Sequence, residues 1–163
     1  MRSLSHAGKE VLIKSVAQAI PSYCMGAFLL PTSLCEEIER IMNSFYWGSN
    51  KNGRRGINWK RWDKLTLHKS HGGLGFRDME AFNLSMLGKQ SWKLLTDSTS
   101  LLTRVLKAKY FTRKDFLDAS LCDNPSFTWR SLWSTQHLLT LGYRWKIGDG
   151  TKINVWNMPR YKN

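Results

Sequence analysis

Apolar residues recur at helical spacing along most of this chain. Val11, Leu12, Val16, Ala19 and Ile20, with Ser15 among them, fall on one stripe of a helix predicted over 5–20; Lys9 and Lys14 lie off that stripe and Pro21 stops it. A short helical segment is predicted over 22–28. Leu34, Ile38, Ile41, Met42 and Phe45 then repeat with the helical period, and Ser33 with Glu36 three residues on reads as a capping box. That helix is predicted over 33–47, with Gly48 as its stop. Residues 49–56, Ser-Asn-Lys-Asn-Gly-Arg-Arg-Gly, form a polar loop and the best internal boundary. Beyond it, Asn58 is placed to cap a short helix over 59–65 and Asp78 to cap a long one over 79–95. Further helices are predicted over 100–110, with Leu101, Leu102, Val105 and Leu106 as the apolar stripe, and over 126–141, stopped by Gly142. There the period changes. Trp145 and Ile147 alternate with Lys146, and Ile153 and Val155 alternate with Lys152 and Asn154, around Gly148-Asp149-Gly150. This pattern predicts a β-hairpin over 144–156. The fold class is therefore mostly α: a small helical bundle over 1–48, then a basic loop, a helical connection region and a terminal hairpin over 49–163, as two subdomains or one continuous domain.

The run His71-Gly72-Gly73-Leu74-Gly75-Phe76-Arg77-Asp78 has three glycines in four residues, the look of a phosphate cradle. A P-loop needs a Lys-Ser or Lys-Thr pair after the glycines and a hydrophobic strand before them, and neither is present. The run instead predicts a tight turn with positive φ that feeds the capped helix at Asp78.

Composition sharpens this outline. A hydrophobic share of 42% in 163 residues is enough for a folded core. The formal net charge is +13, from 25 basic and 12 acidic residues. Such an excess suits a polyanionic partner, nucleic acid before anionic membrane. Eight tryptophans exceed what a core of this size requires and suggest rings used for stacking or partner contact. Cys24, Cys35 and Cys122 are far apart and form no CxxC, so neither a zinc knuckle nor a disulfide framework is indicated, and reduced thiols fit an intracellular compartment. The start of the chain lacks the apolar stretch of a secretory signal; it is basic and serine-containing, as a mitochondrial presequence is, but Glu10 favours a structural helix. No apolar run reaches the ~18 residues of a membrane span.

Catalytic constellations are absent from the sequence pattern. Polymerase chemistry needs carboxylates converging on Mg²⁺, and no Asp-Asp pair occurs. Glu36, Glu37 and Glu39 sit near a helix N-terminus, where they complement its dipole. No G-x-S-x-G elbow occurs. His68 and His71 could share a metal by spacing alone, but no cysteine or carboxylate lies near them, so no metal site and no cofactor are assigned. The nucleic-acid signal is stronger. Lys51, Arg54, Arg55, Lys60, Arg61 and Lys64 cluster, opposed only by Asp63, with Trp59 and Trp62 interleaved. Cations can track phosphates while rings stack on bases, or the two tryptophans can be core anchors with the cations on their wet side. A second cluster, Arg104, Lys107, Lys109, Arg113 and Lys114, has the same sign; Arg104 and Lys107 fall one helical turn apart.

The order of local sequences carries a resemblance. The stretch over 68–95, HKSHGGLGFRDMEAFNLSMLGKQSWKLL, resembles the region C-terminal to the polymerase core of plant LINE-type (non-LTR) retrotransposon reverse transcriptases. LSHAGKEVLIKSVAQAIPSYCM, LPTSLCEEIERIMNSFYWG, INWKRWDKL, SLLTRVLKAKYF, PSFTWRSLW and RWKIGDGTKINVW match in the same order. Similar pieces occur in free-standing plant mitochondrial open reading frames. The resemblance implies a thumb-like bundle over 1–48 and a connection region after it. It places the family's catalytic Asp-Asp turn before this region and its zinc-binding segment after it. The chain alone is then expected to be no enzyme, but a module that holds RNA or DNA template–primer, in the nucleus or mitochondrion, with no membrane partner. Two alternatives stand beside this: a module docking a separately encoded polymerase core through its tryptophans, and a decayed relic without function.

Overall fold

A computed structural model describes residues 4–48 and 57–142. The described residues are helical and contain no strand; the hairpin expected over 144–156 lies outside them. The elements are α1 (His6–Leu12), continued by a π-helical turn (Ile13–Ala17), α2 (Ser22–Met25), α3 (Thr32–Trp47), α4 (Trp62–Leu65), α5 (Met79–Thr96), α6 (Leu101–Tyr110), α7 (Phe127–Trp133) and α8 (Gln136–Gly142), with single 3₁₀ turns at Lys69–His71 and Phe116–Asp118.

Local chemistry sets most of these ends. Ser5 caps α1 by accepting from the Gly8 N–H at 3.2 Å, and Asp78 caps α5 by accepting from the Ala81 N–H at 2.9 Å. Gly48 closes α3 in the left-handed region, φ 77°. The capping box expected at Ser33 is not made. Pro31 takes the cap position with φ −58° and ψ 140°, so α3 starts at Thr32 and Ser33 lies inside its first turn. The helix expected over 59–65 starts only at Trp62, because Arg61 is extended (ψ 159°) and the Asn58 cap falls too early. The helix expected over 126–141 breaks into α7 and α8. The Thr135 hydroxyl donates to the Leu132 carbonyl at 2.7 Å and captures an acceptor that a continuing helix would use.

Three helices present a different face from the one their periodicity suggests. On α3, Leu34, Ile41 and Phe45 of the expected stripe are exposed, while Cys35, Met42 and Tyr46 are buried. On α1 and its π turn, Ile13 and Gln18 are each 1% exposed, whereas Val11, Leu12, Val16 and Ile20 face water. Polar anchors turn the helix this way. Lys9 Nζ donates to the Tyr46 carbonyl at 3.2 Å, near the C-terminus of α3, and Lys14 Nζ donates to the Leu74 carbonyl at 2.6 Å. The π turn, closed by Gln18 N–H to Ile13 C=O at 2.9 Å, then shifts the register. On α6, Thr103 and Leu106 are buried while Leu101, Leu102 and Val105 are exposed.

Helix α5 is the spine. Its Met79 end joins a first core of Ile13, Met25, Cys35, Met42, Tyr46, Trp62, Leu65 and Phe76. Side chains from both sides of segment 49–56 therefore fill one core. Leu87 and Leu94 of α5 join a second core with Leu106, Phe111, Phe116, Trp129 and Leu132. Between the two, Asn83 is buried and fully used: Nδ2 donates to the Met25 and Phe28 carbonyls, both at 2.9 Å, and Oδ1 accepts from the Leu30 N–H at 2.7 Å. Ser131 of α7 accepts from the neighbouring Leu29 N–H at 2.9 Å. The segment after α2 is thus tied to both halves by hydrogen bonds that would be costly to leave unmade.

Candidate nucleic-acid interface

The glycine run is a backbone device. Gly72 and Gly75 have φ of 75° and 67°. A Cβ on Gly73 would lie 2.0 Å from the Leu67 carbonyl oxygen, so the close approach needs glycine there. The turn folds back on α4: the Leu74 and Phe76 N–H groups both donate to the Leu65 carbonyl, at 2.9 and 3.2 Å. His68 and His71 both engage the Ser70 hydroxyl between them, at 2.8 and 3.0 Å. Among the described residues no group of three metal-ligating side chains converges.

The first basic cluster separates into different roles. Lys60 donates to the Gly72 carbonyl at 2.8 Å and so pins the glycine turn. Arg61 pairs loosely with Asp63 at 3.7 Å, with its own side chain 90% exposed. Lys64 is exposed and in no ion pair. Trp59 is 75% exposed and available as a ring, but Trp62 is 7% exposed. Trp62 stacks on Phe76 with centroids 4.9 Å apart, and its Nε1–H donates to the Arg77 carbonyl at 3.2 Å. Of the two roles open to it in the sequence, Trp62 takes the core one, because ring and N–H are both already satisfied. Arg54 and Arg55 lie outside the described residues.

The second cluster forms a continuous surface. Ser98, Leu101, Arg104, Val105, Lys107, Ala108 and Thr112 line one open groove along the outer side of α6. Lys107 and Thr112 are shared with an adjoining hollow that adds Arg113, Lys114, Asp115 and Asp118. Ion pairs among the described residues occupy Lys14, Lys69, Arg40 and Arg61, and none involves Arg104, Lys107, Arg113 or Lys114. Sequence reasoning placed Arg104 and Lys107 together, but missed the aliphatic floor between them because it assigned Leu101 and Val105 to the core.

Two of the described acids are structural. Glu39 accepts from the Met79 N–H at 2.8 Å, at the N-terminus of α5. Burial pushes its carboxyl above the usual range, aided by nearby Asp78, Glu36 and Glu80, against the lowering effect of that backbone bond. Glu10 is held below the usual range by hydrogen bonds from Lys14 and then Lys69. Two more of the described tryptophans are structural. Trp129 is buried in a stack with Tyr110 (4.6 Å) and Phe111 (5.6 Å), and Trp133 Nε1–H donates to the Ala119 carbonyl at 2.9 Å.

Among the described residues, fold and surface define a basic helical module in which Arg104, Lys107, Arg113 and Lys114 lie together at α6 without ion-pair partners. The chain belongs to the family of a plant mitochondrial protein. It is 39% identical over 139 residues to the Arabidopsis thaliana "Uncharacterized mitochondrial protein AtMg00310", a match that covers 85% of this chain and 90% of that protein. It is also 31% identical over 160 residues to the Arabidopsis thaliana "Putative ribonuclease H protein At1g65750", covering 95% of this chain but spanning only 25% of that relative's length. No family model and no solved structure matches the chain. No helix among the described residues is long and apolar enough to cross a membrane.

Proposed function

We propose that this chain is a non-catalytic nucleic-acid-binding module of retrotransposon origin, equivalent to the region after the palm of a plant LINE-type reverse transcriptase. In such an enzyme it would hold the RNA or DNA template–primer behind the active site. The observation that carries the reading is the group of exposed cations without ion-pair partners along α6, in a chain of net charge +13. The order of the seven matched local sequences supports the retrotransposon origin. So does the relative that contains nearly this whole chain as a quarter of its length and is named for a ribonuclease. The mitochondrial relative supports a mitochondrial setting.

In this reading Arg54, Arg55, Lys64, Arg104 and Lys107 contact phosphates, with Arg61 as a further contact and Trp59 as the stacking ring, while Lys60 pins the glycine turn. Fluorescence anisotropy with labelled single-stranded RNA tests the assignment. Arg54→Ala with Arg55→Ala should flatten the slope of log K against log[salt] by roughly one to one and a half units, and Arg104→Ala with Lys107→Ala should do the same, at ~0.7 per lost contact. Both losses should be similar across RNA sequences, since phosphate contacts carry no base information. Pair variants that bind as the unaltered chain does would remove these residues from the interface.

A further inference from the structure

The groove on α6 contains more than a phosphate surface needs. Leu101 is 73% exposed and Val105 57%, on a helix whose partners in the second core are Thr103 and Leu106. Leu101, Val105 and Ala108 follow one another at four- and three-residue spacing along one face of α6, and Thr112 lines the groove beyond its end. No aromatic residue lines this groove, so it has no platform for base stacking. Two large aliphatic side chains held in water do nothing for a phosphate. An apolar ligand surface would cover them.

The rim states what else that ligand carries. Arg104 lies between Leu101 and Val105 in sequence, Lys107 follows, and Arg113 and Lys114 close the far end of the adjoining hollow. Asp115 and Asp118 sit at that far end only, away from the aliphatic floor. The floor is apolar and its rim is cationic. The ten residues of α6 span roughly 15 Å, about three helical turns. We propose that this groove docks an acidic amphipathic helix of a protein partner: an apolar stripe at i, i+3 or i+4, and i+7 seated on Leu101, Val105 and Ala108, with Asp or Glu beside the stripe facing Arg104 and Lys107. This goes beyond nucleic-acid binding. Arg104 and Lys107 serve both ligands, whereas Leu101 and Val105 serve only the peptide. It also relocates the protein contact, from the tryptophans suggested by composition to aliphatic residues on α6.

The test uses the full chain and a labelled designed helix of about 18 residues, long enough to cover the groove, with Leu at i, i+3, i+4 and i+7 positions and Glu elsewhere. A scrambled peptide of equal charge is the control. The designed helix should bind and the scrambled one should bind at least about tenfold more weakly, a difference near 1.4 kcal/mol. Leu101→Ser with Val105→Ser should cost the designed helix about tenfold or more and leave binding of single-stranded RNA within about twofold. Both residues are exposed, so the helical circular dichroism should be unchanged. Arg104→Glu with Lys107→Glu should reject the acidic helix and accept one with Lys in place of Glu. No binding of the designed helix, equal binding of the scrambled peptide, or indifference to the Leu101 and Val105 changes would overturn the proposal. The last two outcomes would leave a plain polyanion surface and the nucleic-acid reading intact.

Discussion

Trp59 and Trp62 stand three positions apart, and the fold gives them opposite roles. Arg61 between them is extended, so Trp59 remains in the exposed approach while Trp62 opens α4 and enters the first core. Trp62→Ala should therefore cost about 3–5 kcal/mol of stability, read from the denaturant midpoint, because it opens a cavity beside Phe76. Trp59→Ala should leave that midpoint unchanged and weaken single-strand binding by about 1–3 kcal/mol. Stability loss at Trp59 with none at Trp62 would reverse these roles. Spacing alone left both tryptophans open, since the burial of Trp62 depends on Phe76 and on the Arg77 carbonyl, fourteen and fifteen positions away. The glycine turn was legible because its requirement is local. A backbone that must pass with positive φ, and with Leu67 against Gly73, excludes other residues whatever the rest of the chain does.

At the scale of elements, the presence of each helix was legible and the face it presents was not always so. α3 and α5 carry strong local signals in Gly48 and Asp78 and span close to the predicted ranges, but α3 buries Cys35, Met42 and Tyr46 and exposes Leu34, Ile41 and Phe45 of its predicted stripe. α1 and α6 do not show the face their apolar stripes predict. In the π turn after α1 and at its end the buried residues are Ile13 and Gln18, and two lysines that read as solvent residues are tied to the Tyr46 and Leu74 carbonyls. In α6 a buried Thr103 displaces Leu101 and Val105 from the core face. A count of apolar positions cannot see such polar tertiary anchors, or a π turn that shifts the stripe. The register of α1 can be tested directly. Ile13→Ala should destabilise by about 2–5 kcal/mol, the usual loss for a fully buried aliphatic. Ile20→Ser should stay within about 0.5 kcal/mol, as surface changes do. The opposite order would restore the stripe of Val11, Leu12, Val16 and Ile20 as the packed face.

The described residues form two small cores strung on α5, with Asn83 and Ser131 fastening the segment between them. That arrangement leaves Arg104, Lys107, Arg113 and Lys114 on the outer side of α6 without ion-pair partners. The net charge of +13 was plain in the composition, but its arrangement was not, because only the fold shows which lysines and arginines are occupied by carbonyls and carboxylates. In the proposed reading, free cations on this surface make the chain a nucleic-acid-binding module. The most direct test is the affinity of the full chain for single-stranded RNA, measured by fluorescence anisotropy across a salt series. With about five phosphates neutralised, the slope of log K against log[salt] should be roughly −3 to −4. An affinity that stays flat from low to high salt, or no measurable binding at low salt, would contradict the account.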